Sequence, residues 1–408
     1  MRILFVCHRV PYPPNRGGKI RPFNMISHLN KRHEVTVASL AHTEEELREA
    51  GDLNRHCHEV IAEVVPSTAR WLRAVQALAM RRPSSAAYFW SPRLLQRIRA
   101  AASQAPFDLI WVHCAFVAEY VLSLPAAHRV LDYGDLDSGK WLDYSQMRSF
   151  PMSMGYALEH RKLRQWERIL AGQFDECTVT SSSELEYFDE LGVDVPCTLI
   201  PNGVNSSFFE FQPNKASDAR PLIAFLGRMD YFPNIDAVTR FVSEVFPLVR
   251  AEVPNAELRI IGSNPTRAVK DLTCVSGVSV TGFVPDVRPL MREAVVAVAP
   301  LRIARGTQNK ILECMAMGVP VVSSPQAAKG VQAIPGQHLL VGSNPRSFAE
   351  HAVRLLRDPI FRTSMAEDAR AQVERVHSWR NCTDTLDGLI ARAEAKTPQP
   401  ATASVGGR

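Results

Sequence analysis

Thr307, Asn309, Lys310 and Glu313 interrupt a stretch, RGTQNKILECMAMGVPVVSS (305–324), that otherwise reads as a buried helix followed by a buried strand. On a wheel of 100° per residue, Gly306, Asn309, Lys310 and Glu313 fall within roughly a quarter-turn. Ile311, Cys314 and Met315 occupy another side, suited to packing on a sheet. Thr307 is expected to cap the helix. The polar stripe thus starts at a helix N-terminus, where free N–H groups and about half a positive charge gather. Gly306 lets a ligand approach the backbone closely. Lys310 adds a full charge one turn in. Together these groups suit a phosphate or diphosphate. Glu313, deeper still, would repel phosphate but can accept hydrogen bonds from neutral hydroxyls such as those of a ribose. Phosphate at the tip with ribose beside it describes a nucleoside diphosphate. The plainer alternative is a partly exposed helix carrying a Lys–Glu pair.

Such a stripe needs a sheet behind it. "RILFVC" (2–7), "EVTVASL" (34–40), "DLIWVH" (108–113), "HRVLDY" (128–133), "ECTVTSS" (176–182) and "CTLIPNG" (197–203) read as buried strands, with helical patterns between them. Residues 210–220, "EFQPNKASDAR", are polar and aperiodic, a linker pattern. The alternation then restarts at "LIAFLG" (222–227), "AELRIIG" (256–262), "VSVTGFV" (278–284), "AVVAVAP" (294–300), "PVVSS" (320–324) and "HLLVG" (338–342). The expected fold is α/β: two doubly wound, Rossmann-like parallel-sheet domains facing a cleft. We expect an N-terminal domain over 1–212 and a second domain over 213–376. A C-terminal helix over 377–395 should return to the first domain, ahead of a disordered tail over 396–408.

The composition fits this picture. The chain has 408 residues, 46% hydrophobic and 22% charged, enough for two or three domains. "ILFVCH" is too short for the apolar core of a signal peptide, and no apolar run reaches the ~18 residues that span a bilayer. Eight cysteines without metal-ligand spacing suggest reduced thiols in the cytoplasm. Net charge is only +5, but residues 67–104 hold seven arginines, no acid, and Trp71, Tyr88, Phe89 and Trp90. That segment reads either as a surface resting on anionic lipid or as an arginine-rich surface with its aromatics in the core. No nucleic-acid-binding motif is present, and nucleic acid is not an expected partner.

In these segments the chain resembles the GT-B glycosyltransferases, of the group 1, or family 4, retaining type. The resemblance rests on "TQNKILECMAMGVPVVSS", "TLIPNGVNSSFF" (198–209), "IAFLGRMDYFPNIDAV" (223–238) and "VSVTGFVPDVRPLMREAVVAVAP" (278–300). It also rests on the N-terminal "RILFVCHRVPYPPNRGGKIRPFNMISHLNKRHEVTV" and on "HSW" (377–379) before a last helix. "DYFPNIDAV" and "VLDYGDLDSGKW" (130–141) look closest to sugar transferases associated with exosortase and exopolysaccharide systems.

The resemblance implies roles for particular residues. Arg228 would hold the donor phosphates and, with Lys310, stabilise the departing diphosphate. Relatives often carry a lysine shortly after that arginine; Pro233-Asn234 stands there, so a second cation must come from Lys310 or Arg305. Many relatives bracket seven residues with two glutamates. Glu313 fits the second, whereas Arg305 occupies the first, which puts sugar-hydroxyl recognition in doubt. Gly306, Thr307 and Asn309 belong to the donor helix, and Phe283 and Val284 lie where relatives bring backbone to the base. Gly17 and Gly18 would form a phosphate or acceptor loop, made basic by Arg16, Lys19 and Arg21. His113 would face the transferred sugar, with His8 a weaker candidate. "DLD" (135–137) matches a three-residue metal pattern of a different, single-domain glycosyltransferase fold; here no metal or other cofactor is expected.

The implied activity is transfer of a sugar, with retention, from a nucleotide-diphospho-sugar to a hydroxyl. The acceptor would be lipid-linked or a polysaccharide at the inner membrane face, and the protein cytoplasmic, peripherally bound through residues 67–104. A nucleotide-sugar 2-epimerase and a non-catalytic scaffold of the same architecture are the alternatives. A dehydrogenase fits less well, because GxGxxG is absent after the first strand.

Overall fold

The computed structural model describes residues 1–212 and 220–396. Most of the expected linker and nearly all of the expected tail lie outside the described residues. The chain forms two compact units.

The first unit is built on a seven-stranded parallel sheet. Its strands are β1 (Arg2–Cys7), β2 (Glu34–Ala41), β3 (Glu59–Val64), β4 (Phe107–His113), β5 (Ala126–Gly134), β6 (Glu176–Val179) and β7 (Cys197–Leu199), in the order β3-β2-β1-β4-β5-β6-β7. Helices flank the strands, so β1 and β4 are buried on both faces and read as continuous apolar runs: Ile3 to Cys7 are fully buried. The sequence reading did not anticipate β3, "EVIAEV". It is an edge strand, half-buried, with its first residue, Glu59, exposed.

The second unit carries a six-stranded sheet of β8 (Leu222–Leu226), β9 (Glu257–Ile261), β10 (Val278–Val280), β11 (Val296–Ala299), β12 (Val321–Ser323) and β13 (Leu340–Val341). The order is β10-β9-β8-β11-β12-β13, again all parallel. The chain winds outward in one direction from β8 and in the other from β11. That reversal opens a crevice at the carboxyl ends of these two neighbours, the usual ligand position in such sheets.

The units divide at Ile200/Pro201 rather than at 212, and Thr180–Glu186 also belongs to the second unit. Residues after 200 are held there by a hydrogen bond from Val204 N to His377 O (2.7 Å). Gly203 also lies so close to Trp379 that a Cβ would sit 2.7 Å from the indole. The last helix, Trp379–Lys396, joins the first unit from Thr383 onward, where Leu386, Leu389 and Ala393 are buried and Asp387 pairs with His28 at 2.7 Å. Among the described residues, no helix is long and apolar enough to cross a membrane.

Residues 67–104 form the helices Ser67–Leu78, Ser84–Tyr88 and Pro92–Gln104. Most of the segment's arginines and aromatics turn inward, while Trp71 and Arg81 stay exposed. Arg70 is buried against His42, Arg73 donates to the Trp90 carbonyl, and Arg82 pairs with Glu119. Arg93 and Arg97 both face Glu63. Phe89 stacks on Phe116, and Trp90 stacks on Tyr120. The neutralising acids lie outside the segment, so its own composition could not reveal them.

Candidate functional site

In the second unit, the residues singled out for phosphate chemistry cluster at the carboxyl ends of β8 and β11. Arg228 follows β8 after Gly227; Arg305, Gly306 and Thr307 follow β11; Lys310 and Glu313 sit on the next helix, Asn309–Met317. The Lys310 ammonium donates to Asn234 Oδ1 at 2.6 Å and lies 4.8 Å from the Phe225 ring centre. Asn234 in turn donates from Nδ2 to the Arg228 carbonyl at 2.9 Å. Asn234 stands where relatives were expected to carry a lysine, and here its amide receives the lysine of another helix. The approach depends on glycine: a Cβ on Gly227 would meet Asn234 Nδ2 at 2.7 Å and Lys310 Nζ at 2.9 Å. Gly262, after β9, has φ +151° and packs on the Gly227 carbonyl, which a Cβ would meet at 1.7 Å. Both tight turns keep this edge free of side chains.

Burial lowers the Lys310 pKa to about 8, with Cys314 and Glu313 opposing the shift. Burial raises the Glu313 pKa to about 7, with Lys310 opposing it. Lys310 is therefore cationic below about 8, and Glu313 is a carboxylate above about 7. If donor binding needs both, kcat/KM should follow a narrow bell with limbs near these values. Glu313→Gln should flatten the acid limb and leave the alkaline one. An acid limb that persists unchanged in this variant removes Glu313 from the site.

The other cations of this edge are already engaged. Arg228 forms a two-point pair with Asp230 (Nε–Oδ1 3.1 Å, Nη2–Oδ2 2.6 Å) and its side chain is 46% exposed. Arg305 faces the buried Glu184 at 3.7 Å. Thr307 does not cap the helix: its hydroxyl donates to the Thr180 carbonyl at 3.3 Å, and the helix begins two residues later with Gln308 as N-cap, whose side chain donates back to the Arg305 carbonyl at 2.9 Å instead of capping. Gly306 therefore lies outside the helix. It is buried, with φ +56°, and its carbonyl is packed against Gly330. Asn309 Oδ1 accepts from Asn202 Nδ2 at 3.4 Å. Ile311, Cys314 and Met315 pack in the core as expected. Phe283 and Val284 occupy the loop after β10, Phe283 with 74% of its surface exposed.

In the first unit, His113 ends β4 and its Nδ1 lies 2.8 Å from Asp132 Oδ2, on β5. A carboxylate only accepts, so Nδ1 carries the hydrogen and Nε2 is the atom left to act. Asp132 also accepts from Arg21 Nε and Nη2, from the Thr178 hydroxyl at 2.7 Å and from the Gly134 amide at 3.2 Å. Burial alone would raise its pKa; Arg21's charge and the His113 hydrogen bond outweigh this and hold it far below the usual carboxylate range. The His8 ring lies 5.9 Å from that of His113, and burial with neighbouring positive groups keeps its pKa well below the ordinary value. Gly17 and Gly18 are not a separate loop. They are the exposed first two residues of the helix Gly17–Leu29, whose opening amides lack intrahelical acceptors. The basic residues around them are spoken for: Arg16 pairs with Glu46, Lys19 with Glu49 and Arg21 with Asp132. Of the "DLD" carboxylates, Asp137 faces Lys140 at 3.7 Å. Among the described residues, no three His, Cys, Asp or Glu side chains gather as a metal site would require.

Asp132, Asn234, Asp230 and Glu184 are partners that the sequence reading missed. Asp132 was legible only as a polar break in "HRVLDY", inside a strand otherwise apolar at its end.

Two doubly wound parallel sheets, the second with a cation and a carboxylate at its switch point, define the GT-B class of fold. Two family models match the chain: Glycosyltransferase Family 4 over residues 16–208, and Glycosyl transferases group 1 over residues 220–358. The chain belongs to the group 1 glycosyltransferases. Solved structures share the fold. Sucrose-phosphate synthase from Thermosynechococcus elongatus has a TM-score of 0.72 at 17% identity, covering 97% of this chain and 99% of that one. The Anabaena protein HepE, solved with UDP, has a TM-score of 0.67 at 14% identity, covering 96% and 100%. Trehalose 6-phosphate synthase from Burkholderia multivorans has a TM-score of 0.62 at 13% identity, covering 97% and 100%.

Proposed function

We propose that this glycosyltransferase takes its sugar from a nucleotide-diphospho-sugar held at the carboxyl edge of the second unit. The observation that carries the reading is the Asn234–Lys310–Glu313 arrangement: a cation held by an amide, with a carboxylate one turn away. The cation meets the diphosphate, and Glu313 accepts from sugar hydroxyls. HepE, which shares the fold, is solved with UDP and with UDP-glucose. In the transfer, the bond from the anomeric carbon to the diphosphate oxygen breaks, and a bond to the acceptor oxygen forms on the same face. That same-face attack retains the configuration, and the acceptor proton passes to the departing diphosphate. Lys310 and Arg228 neutralise the charge that develops there, a task that needs no metal. His113 Nε2 accepts from, or donates to, a hydroxyl of the transferred sugar. The acceptor is a lipid-linked sugar or growing polysaccharide of the cell surface, reached from the inner membrane face.

Thermal unfolding in the presence of UDP-, GDP- and ADP-sugars tests this. One donor class should raise the unfolding temperature, by an amount corresponding to about 2.7 kcal/mol at a hundredfold excess over Kd. Free nucleotide diphosphate should appear only with an acceptor present. A chain that no nucleotide sugar stabilises, or one that converts the donor alone to its epimer, refutes the proposal.

A further inference from the structure

The helix Ser67–Leu78 is built inside out. Its inward residues are Arg70, Ala74 and Ala77, all buried. Its outward residues are Trp71, Leu72, Val75 and Leu78, exposed by 63, 60, 59 and 49%. A surface helix normally shows the reverse pattern. Arg70 accounts for the inward side, since its guanidinium reaches His42 and lies over the Tyr88 ring. Large apolar side chains on the outward side are what a covering surface would use.

A helix touching the end of the first, Met152–Ala171, also carries exposed apolar side chains. Its Lys162 donates to the carbonyls of Ala77 (3.0 Å) and Leu78 (2.8 Å), laying it against the end of the first helix. Phe150, just before that helix, and Met154, on it, are exposed by 76 and 63%.

Charge selects what covers this face. Residues 64–107 contain seven arginines and no acid. Residues 144–166 contain four lysines and arginines and a single acid, Glu159. Glu159 is buried and accepts from the Ser84 and Ser85 amides. Although several of the arginines pair inward, Arg81 and Arg161 are exposed, and neither stretch presents an exposed carboxylate. A second copy docked symmetrically would set this cationic border against itself. An anionic bilayer satisfies both features: apolar side chains enter the headgroup–acyl boundary, and the cations meet lipid phosphates. We propose that this face seats the protein on an anionic lipid surface, with Trp71, Leu72, Val75 and Leu78 entering the bilayer. The docking stands on this face alone; its purpose, reaching a lipid-borne acceptor, rests on the function proposed above.

The test is sedimentation of the full chain with phosphatidylcholine vesicles, with and without phosphatidylglycerol. The chain should partition onto the anionic vesicles. Trp71→Gln/Leu78→Gln should lose at least about tenfold in partitioning, because two apolar side chains no longer leave water. Arg81→Gln/Arg161→Gln should lose several-fold, and only on anionic vesicles. All four sites are exposed, so unfolding temperatures should match the parent. Donor-induced stabilisation and transfer to a short water-soluble acceptor should be unchanged in Trp71→Gln/Leu78→Gln, which separates failure of docking from failure of the chemistry. Equal binding to both vesicle types, undiminished binding by Trp71→Gln/Leu78→Gln, or a parent dimer that this variant converts to monomer would each overturn the proposal.

Discussion

Lys310→Met is expected to lower kcat/KM by about 10²–10³-fold, the usual cost of losing one preorganised charge at a developing anion. The ammonium is held in place before any donor arrives, between Asn234 Oδ1 and the Phe225 ring, so no reorganisation is needed as the diphosphate departs. Its partial burial, which brings the pKa down to about 8, also weakens the screening by water. Methionine keeps the apolar stem and removes a charge whose burial is unfavourable, so the unfolding temperature should hold or rise. The fall should appear in kcat more than in KM, because the charge on the leaving oxygen grows towards the transition state. Arg228→Ala should cost less: its guanidinium already has Asp230 as a counter-charge and is half exposed to solvent. Steady-state kinetics with the donor identified by thermal shift would check this. A Lys310→Met enzyme with parental kcat/KM would place the diphosphate elsewhere.

The difference between these two cations shows what the sequence could and could not convey. The strands of the second unit were all legible, since β8 and β11 are apolar runs and β9, β10 and β12 are apolar-rich, most of them next to glycine, proline or serine. The stripe on the donor helix was legible as well, because spacing alone puts Asn309, Lys310 and Glu313 on one side. What sequence could not give was pairing across long separations. Asn234 and Lys310 are joined through the fold, as are Arg305 and Glu184, or Arg21 and Asp132. A basic stretch such as "RGGKIR" therefore looked like a phosphate cradle, although each of its charges is answered by an acid on another element. The helix start at Asn309 was misplaced for a similar reason. Thr307 has the right chemistry for a cap, but the carbonyl of Thr180 takes its hydroxyl. The short edge strand β3 escaped because its Glu–Val–Ile–Ala–Glu–Val pattern is only half-buried and carries two acids.

Asp132→Ala should be the most destabilising single change in the first unit, by about 3–5 kcal/mol, the cost of leaving a buried charge without its partner. Arg21 is 2% exposed, and without Asp132 its guanidinium would lose its carboxylate partner while keeping the Ile200 carbonyl at 2.7 Å. Thr178 and the Gly134 amide would lose an acceptor in the same step. Because the Asp132 pKa is depressed in the fold, its contribution is fully present above the unfolded-state value and is lost as pH falls towards the folded one. The deficit of the variant should therefore be constant through neutral pH and shrink only in strong acid. Asp132→Asn should be nearly as costly, since an amide nitrogen would have to face either Arg21 or His113. The double variant Arg21→Met/Asp132→Asn should recover part of the loss, because it removes the orphaned charge along with its partner. Urea unfolding of all three variants gives these energies directly. In the double variant His113 would also lose the carboxylate that fixes its tautomer, so kcat/KM should fall even where stability has returned. Stability and activity that recover together would mean that Asp132 serves the core and not His113.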